Sequence, residues 1–135
     1  GRFRGGLGLR RDYLFEAPAT FSVVADRARF QPWGLFGGDD APPARYVLDP
    51  YGEARSMPAK FSCEMRPGDV VRVQMAGGGG YGPAVERDPA LVLADVRNGK
   101  VSVERAKSAY GVVITADGEI DLEATEAARQ ALRNA

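Results

Sequence analysis

The sequence predicts an α+β fold, with strands and hairpins over the amino-terminal two-thirds and a small helical region at the carboxyl end. Up to about residue 82 the chain is rich in Gly, Pro, aromatic and β-branched residues in alternating runs, which is how strands are written. After residue 86 the apolar spacing becomes helical, with start and stop signals in place. Between the two, in VQMAGGGGYGPAVERDP, a strand-like run ends in four consecutive glycines at 77–80. Residues 1–86 are therefore read as a β-rich glycine-loop region and 87–135 as a helical tail, forming one compact domain or the terminal part of a larger subunit.

DYLFEA and TFSVVAD, around Pro18, are short strand candidates, and ARYVLD is another before the DPYG turn. In FSCEM, Phe61, Cys63 and Met65 share a face; in DVVRVQM, Val71, Val73 and Met75 do. The intervening RPGD suits a type II turn, with Pro67 presetting the first central position and Gly68 accepting positive φ at the second. The two runs are expected to pair as a hairpin. RFQPWGLFGGDDAPP is a long, irregular, aromatic loop, a kind that in compact domains is functional or buried against a partner.

In RDPALVLADVRNGK, Asp88 takes an N-cap, Pro89 the first helical position and Asn98-Gly99 the stop, with Val92, Leu93 and Val96 on one face. SVERAKSAYG repeats the pattern: Ser102 caps, Val103, Ala106 and Tyr110 line one side, and Gly111 ends it. VVIT, the ADGE turn and ID form a short extended excursion. A last helix starts at Asp121, with Glu123 and Glu126 early and Arg129 and Arg133 late, an order that suits the helix dipole.

Of the 135 residues, 44% are apolar and 27% charged, a globular composition. Basic and acidic residues balance at 18 each, so the whole chain gives no electrostatic case for nucleic acid or an anionic membrane. Cys63 is the sole cysteine and histidine is absent. That excludes an internal disulfide, a thiolate cluster, a Ser-His-Asp triad and imidazole-based metal sites from these residues. No apolar run reaches the roughly 20 residues of a membrane helix, and a cytoplasmic protein is expected. A chain that opens on glycine is read as a processed product or a piece of a longer polypeptide.

Bare backbone N–H groups in the tetraglycine could converge on an anion, but YGPAVERDP follows with no Lys-Ser or Lys-Thr, and no helix opens on the glycines. A sharp corner needs one glycine, whereas each extra one costs about 0.5–1 kcal/mol of backbone entropy. Close approach of another loop, a neighbouring subunit or a ligand is therefore expected. GRFRGGLGLRR could bind RNA as an arginine-glycine arm, but it is short and runs straight into a strand; a tightly packed entering strand is the better reading. Trp33 is either a substrate wall or a packing anchor. Asp39 and Asp40 read as a solvated turn, and Cys63 as a core residue.

Taken in order, GGLGLRRDY, ADRARFQPWGLFGG, RPGDVVRVQMAGGGGYG, ERDPALVLADVRNGKVSVERAKSAYGVVI and IDLEATEAARQALR resemble the carboxyl-terminal portion of the hydantoinase B/oxoprolinase family across essentially the whole chain. That resemblance implies ATP-dependent opening of cyclic amides such as N-methylhydantoin and 5-oxoproline, with a hydantoinase A-like ATPase subunit that holds ATP and Mg²⁺. Carboxylation of acetone or acetophenone by relatives is the alternative, and a non-catalytic assembly domain a third. The histidine- and acid-bearing motifs that would hold a divalent metal are expected upstream, so no catalytic residue and no metal ligand is assigned here. A hetero-oligomer is expected, containing the ATPase subunit, the rest of the hydantoinase B-like subunit and a small cyclic amide or ketone, without nucleic acid or membrane. Arg29, Trp33, Gly37, Gly38, Gly78, Gly79 and Tyr81 are the loop residues expected near a ligand or a neighbouring chain.

Overall fold

The computed structural model describes residues 1–134, which form eight strands in antiparallel sheets and three α-helices; the α+β class is the one the sequence predicts. Two compact units divide the chain. A sandwich unit comprises Gly5–Trp33 and Asp40–Gly79, and a helical unit comprises Gly1–Arg4, Gly34–Asp39 and everything from Gly80 onward. Among the described residues no helix is long and apolar enough to cross a membrane.

In the sandwich unit, β1 (Leu9–Leu14), β6 (Val70–Met75), β3 (Arg45–Leu48) and β4 (Arg55–Met57) make one sheet in that order. β2 (Ala19–Val24) and β5 (Lys60–Met65) make a second. RPGD does form the expected turn: Gly68 has φ 93° and Asp69 N–H donates to Arg66 O at 3.0 Å. The expected hairpin does not follow. β5 pairs with β2, whereas β6 pairs with β1 and β3, so the turn carries the chain from one sheet to the other as an arch.

The apolar faces explain why. A hairpin would put the Phe61/Cys63/Met65 and Val71/Val73 faces side by side on one sheet, to be covered by a layer from elsewhere in the chain. An arch turns them toward each other across the sandwich. Met65, Val71 and Leu48 form one buried cluster, with Phe21, Phe61, Cys63 and Val73 packed on it. Val23, Ala44 and Tyr46 form its neighbour. Phe15 secures the arch: its carbonyl accepts from Gly68 N–H at 2.8 Å and its N–H donates to Asp69 O at 3.0 Å. At the far end of β6, Met75 is exposed. β4 has only three residues, RSM, too few for an alternating pattern to reveal it.

In the helical unit, one turn of 3-10 helix (Ala84–Glu86) precedes α1 (Pro89–Arg97), α2 (Val103–Tyr110) and α3 (Leu122–Arg133), with β7 (Val113–Ile114) paired to β8 (Ile120–Asp121). The caps are those expected. Asp88 accepts from Ala90 N–H, Ser102 from Arg105 N–H and Asp121 from Ala124 N–H. Gly111, at φ 61°, ends α2, and Val112 N–H reaches back to Ala106 O at 3.0 Å, as a left-handed C-terminal residue allows. Val92, Ala106, Tyr110 and Val112 form the core. Val103, the first residue of α2, is exposed although it shares a face with the buried Ala106 and Tyr110.

That core contains charge. Asp95, in the stripe with Val92, accepts from Arg87 Nη2 at 3.0 Å and Arg4 Nε at 3.2 Å. Arg87 Nη1 also reaches Arg2 O at 3.1 Å, while its Nε is buried without a partner. Arg129, read from the sequence as a base at the helix end, is buried. Its guanidinium donates to Tyr110 O and Arg87 O, and burial pulls its pKa below the usual arginine range. Asp95→Ala would strand the Arg87 cation in the interior. Breaking a buried pair on one side costs about 3–5 kcal/mol, so a denaturant titration should show a loss of that order; a loss below about 1 kcal/mol, the surface-pair range, would contradict this account.

Candidate functional site

The sequence-derived candidates fall into two local groups. In the helical unit, Gly37, Gly38 and Tyr81 come together. Residues 80–82 run between two short extended pieces: Phe3 lies antiparallel on one side and Leu35 parallel on the other. Tyr81 N–H donates to Phe3 O at 3.0 Å and Phe3 N–H to Tyr81 O at 2.9 Å. Leu35 N–H donates to Gly80 O, Gly82 N–H to Leu35 O and Gly80 N–H to Asp39 O, each at 2.9 Å. A tight turn at Leu35–Gly38, with Phe36 at φ 50° and Gly37 at φ 83°, brings Gly38 against residue 80.

In the sandwich unit, Gly78 and Gly79 lie against the glycine-rich entering segment. Gly78 N–H donates to Gly6 O at 2.9 Å, and a methyl group on Gly77 would sit 2.5 Å from that carbonyl. A methyl on Gly5 would collide with the carbonyls of Gly78 and Gly79. The body approaching the tetraglycine is thus this chain's own backbone. Its N–H groups at 78, 80, 81 and 82 all donate to carbonyls of the same chain, so these four are not available to an anion.

Arg29 and Trp33 lie apart from those glycines in the pairing pattern. Both are exposed; the Arg29 guanidinium stands 5.3 Å from the Phe30 ring and that of Arg27 stands 6.0 Å from Trp33. Trp33 is therefore a surface ring rather than a core anchor. Cys63 sits half-buried with its Sγ 3.4 Å from Met65 Sδ. Among the described residues no group of three or more His, Cys, Asp and Glu is placed to hold a metal ion.

One polar cluster escaped the sequence reading. Asp12 of β1 faces Arg72 of β6 in register, and the two make a bidentate pair at 2.8 and 2.9 Å. Arg10 Nη2 and Tyr51 OH also donate to Asp12, at 2.9 and 2.6 Å. The bonds from Arg72, then Arg10, then Tyr51 hold the Asp12 carboxyl far below the usual carboxylate range and raise both arginines. Asp12 and Arg72 are each plain in the sequence, but not that β1 and β6 are neighbours.

The hydantoinase B/oxoprolinase family model matches residues 1–84. A candidate B-type chain of a D-/L-hydantoinase from Pseudomonas sp. strain NS671 is 35% identical over 133 residues, covering 96% of this chain and 22% of its own length. The crystal structure of an ATP-dependent caprolactamase from Pseudomonas jessenii superposes with a TM-score of 0.82 at 35% identity, over 96% of this chain and 24% of that one. An acetone carboxylase structure matches at TM-score 0.62 and 24% identity, over 76% of this chain and 18% of that one, a likeness of fold alone. The chain belongs to the hydantoinase B/oxoprolinase family and spans under a quarter of the length of these relatives.

Two measurements check the geometry. Gly38→Ala would drive its methyl group into the carbonyl of Gly80, whereas Gly6→Ala meets nothing within 4 Å. We expect thermal unfolding to show a loss of about 2 kcal/mol or more for the first and a change of no more than about 1 kcal/mol for the second, by relief of unfolded-state entropy. The lowered Asp12 pKa makes its contribution complete above the unfolded value of about 3.9, and it is lost as pH falls toward the folded one. The difference in melting temperature between wild type and Asp12→Asn should therefore be largest near neutrality and shrink below about pH 4; a difference that widens on acidification would refute the assignment.

Proposed function

We propose that the chain is part of a B-type subunit of an ATP-dependent amidohydrolase that opens cyclic amides of the hydantoin and lactam class in the cytoplasm. The observation that carries this reading is the 35% identity and TM-score of 0.82 to the ATP-dependent caprolactamase along 96% of the chain. The relatives are named as single subunits of their enzymes, which supports a partner; the reading assigns ATP and Mg²⁺ to a hydantoinase A-like ATPase subunit, and any divalent metal to the part of the B-type subunit upstream of these residues.

The chemistry explains the coupling. Amide resonance makes a lactam carbonyl a poor electrophile. Phosphorylation of its oxygen by ATP, with ADP leaving, would remove that resonance. One water then adds to the carbon, and the C–N bond breaks with the nitrogen taking a proton to leave an acyl phosphate. A second water hydrolyses that to a carboxylate and phosphate, so a lactam yields an amino acid and a hydantoin an N-carbamoyl amino acid. Within this chain the glycine backbones at 37–38 and 78–79 are structural supports. Tyr81, Trp33 and Arg29 are the side chains offered outward, toward a ligand or a neighbouring chain.

The assay combines the chain with the ATPase subunit and the remainder of the B-type subunit. Phosphate release stimulated by a hydantoin or lactam is the expected result. Consumption of a ketone that depends on bicarbonate would replace this reading with a carboxylase. Silence in both assays, with no association between the chains, leaves an assembly domain.

A further inference from the structure

The surface of the helical unit carries a contiguous apolar cluster. Tyr81 stands between two rings, Phe3 at 6.1 Å and Phe36 at 5.1 Å between centroids, with Leu35 paired beside it. All four are open to solvent: Phe3 is 58% exposed, Leu35 49%, Phe36 75% and Tyr81 48%. Charged pairs border them, Arg2 with Glu86 at 3.6 Å and Arg105 with Asp39 at 3.8 Å. An aromatic centre inside a charged rim is the anatomy of a protein interface.

Phe36 strengthens the case independently. Its φ of 50° lies in the left-handed region, where a bulky residue is an outlier and glycine or asparagine the common choice. A local rule broken in this way marks a site whose gain lies elsewhere, and at 75% exposure Phe36 gains little from its own fold.

We propose that this cluster is the seat of the polypeptide making up the other three-quarters of a hydantoinase B-type subunit, an inference that rests on the functional reading above. The occupant is argued from length. The chain matches 22% of one relative and 24% of another, so a B-type subunit holds more than three times as much polypeptide outside this portion. Joined to this portion in one chain, that polypeptide is present at a higher effective concentration than any separate subunit, and it is the occupant assigned to the apolar surface that the matched portion leaves bare.

Two experiments decide it. In the isolated chain Phe36→Gly should leave the melting temperature within about 3 °C of wild type, because the ring packs on a partner rather than on its own core; a larger fall makes Phe36 a structural residue and overturns the proposal. The second sets these residues into the full-length Pseudomonas jessenii caprolactamase chain in place of its matching quarter, and compares hydroxyl-radical labelling with the isolated chain. Labelling of Phe3, Phe36 and Tyr81 should fall several-fold in the chimera. Equal labelling in a folded chimera overturns the proposal, as does a dimer of the isolated chain in which the cluster is already protected, which would make a second copy the occupant. Protection in a chimera whose ATP hydrolysis ignores lactams would sink the functional reading while leaving the docking surface standing.

Discussion

The helical unit depends on one buried carboxylate. Asp95 accepts from Arg87, between the 3-10 turn and α1, and from Arg4 near the amino end of the chain, holding residues 4 and 87 against the same helix. A buried guanidinium survives when its donors are met; Arg87 meets Asp95 and the carbonyl of Arg2, while its Nε stays unpartnered. Arg129 completes the arrangement by bonding the last carbonyl of α2 and the carbonyl of Arg87, where the helix dipole favours a cation. Substituting apolar residues could fill the same volume, but would not specify which carbonyl each segment meets. These charged contacts tie α1, α3 and residues 1–4 together within this unit.

Glycine performs the corresponding task on the backbone. Residues 80–82 are bonded on both sides, to Phe3 and to Leu35, and a side chain on Gly38 would break that spacing. In the sandwich unit, Gly5 and residues 77–79 stand in the same relation. The cluster that in isolation suggests a phosphate loop is a place where main chain packs on main chain, with the N–H groups of Gly78 and Gly80 bonded to carbonyls of the same chain. What these loops offer outward is their side chains, above all the exposed rings of Phe36 and Tyr81.

Helices were the most legible part of the chain, because their signals are local. Asp88-Pro89, Ser102, Gly111 and Asp121 occupy the capping positions expected of them, since a cap is decided by residues within one turn. Apart from the three-residue β4, strand existence in the sandwich unit was also legible from alternation, and Gly68 secured the turn. Strand pairing was not. The choice between hairpin and arch depends on what covers Phe61, Cys63, Met65, Val71 and Val73, and the covering residues, Leu48 and Phe21, come from distant parts of the chain.

Residue order alone was enough for the fold class, the helix limits, the turn glycines and, through the succession of its motifs, the family. Folding had to decide that β5 and β6 part into different sheets, that Asp12 meets Arg72, that Asp95 and Arg129 are interior charges, and that backbone is what approaches the tetraglycine. The difference is one of range. Caps, turns and periodicity are set by neighbours along the chain, whereas pairing, charge burial and close approach are set by residues that sequence distance separates and only folding brings together.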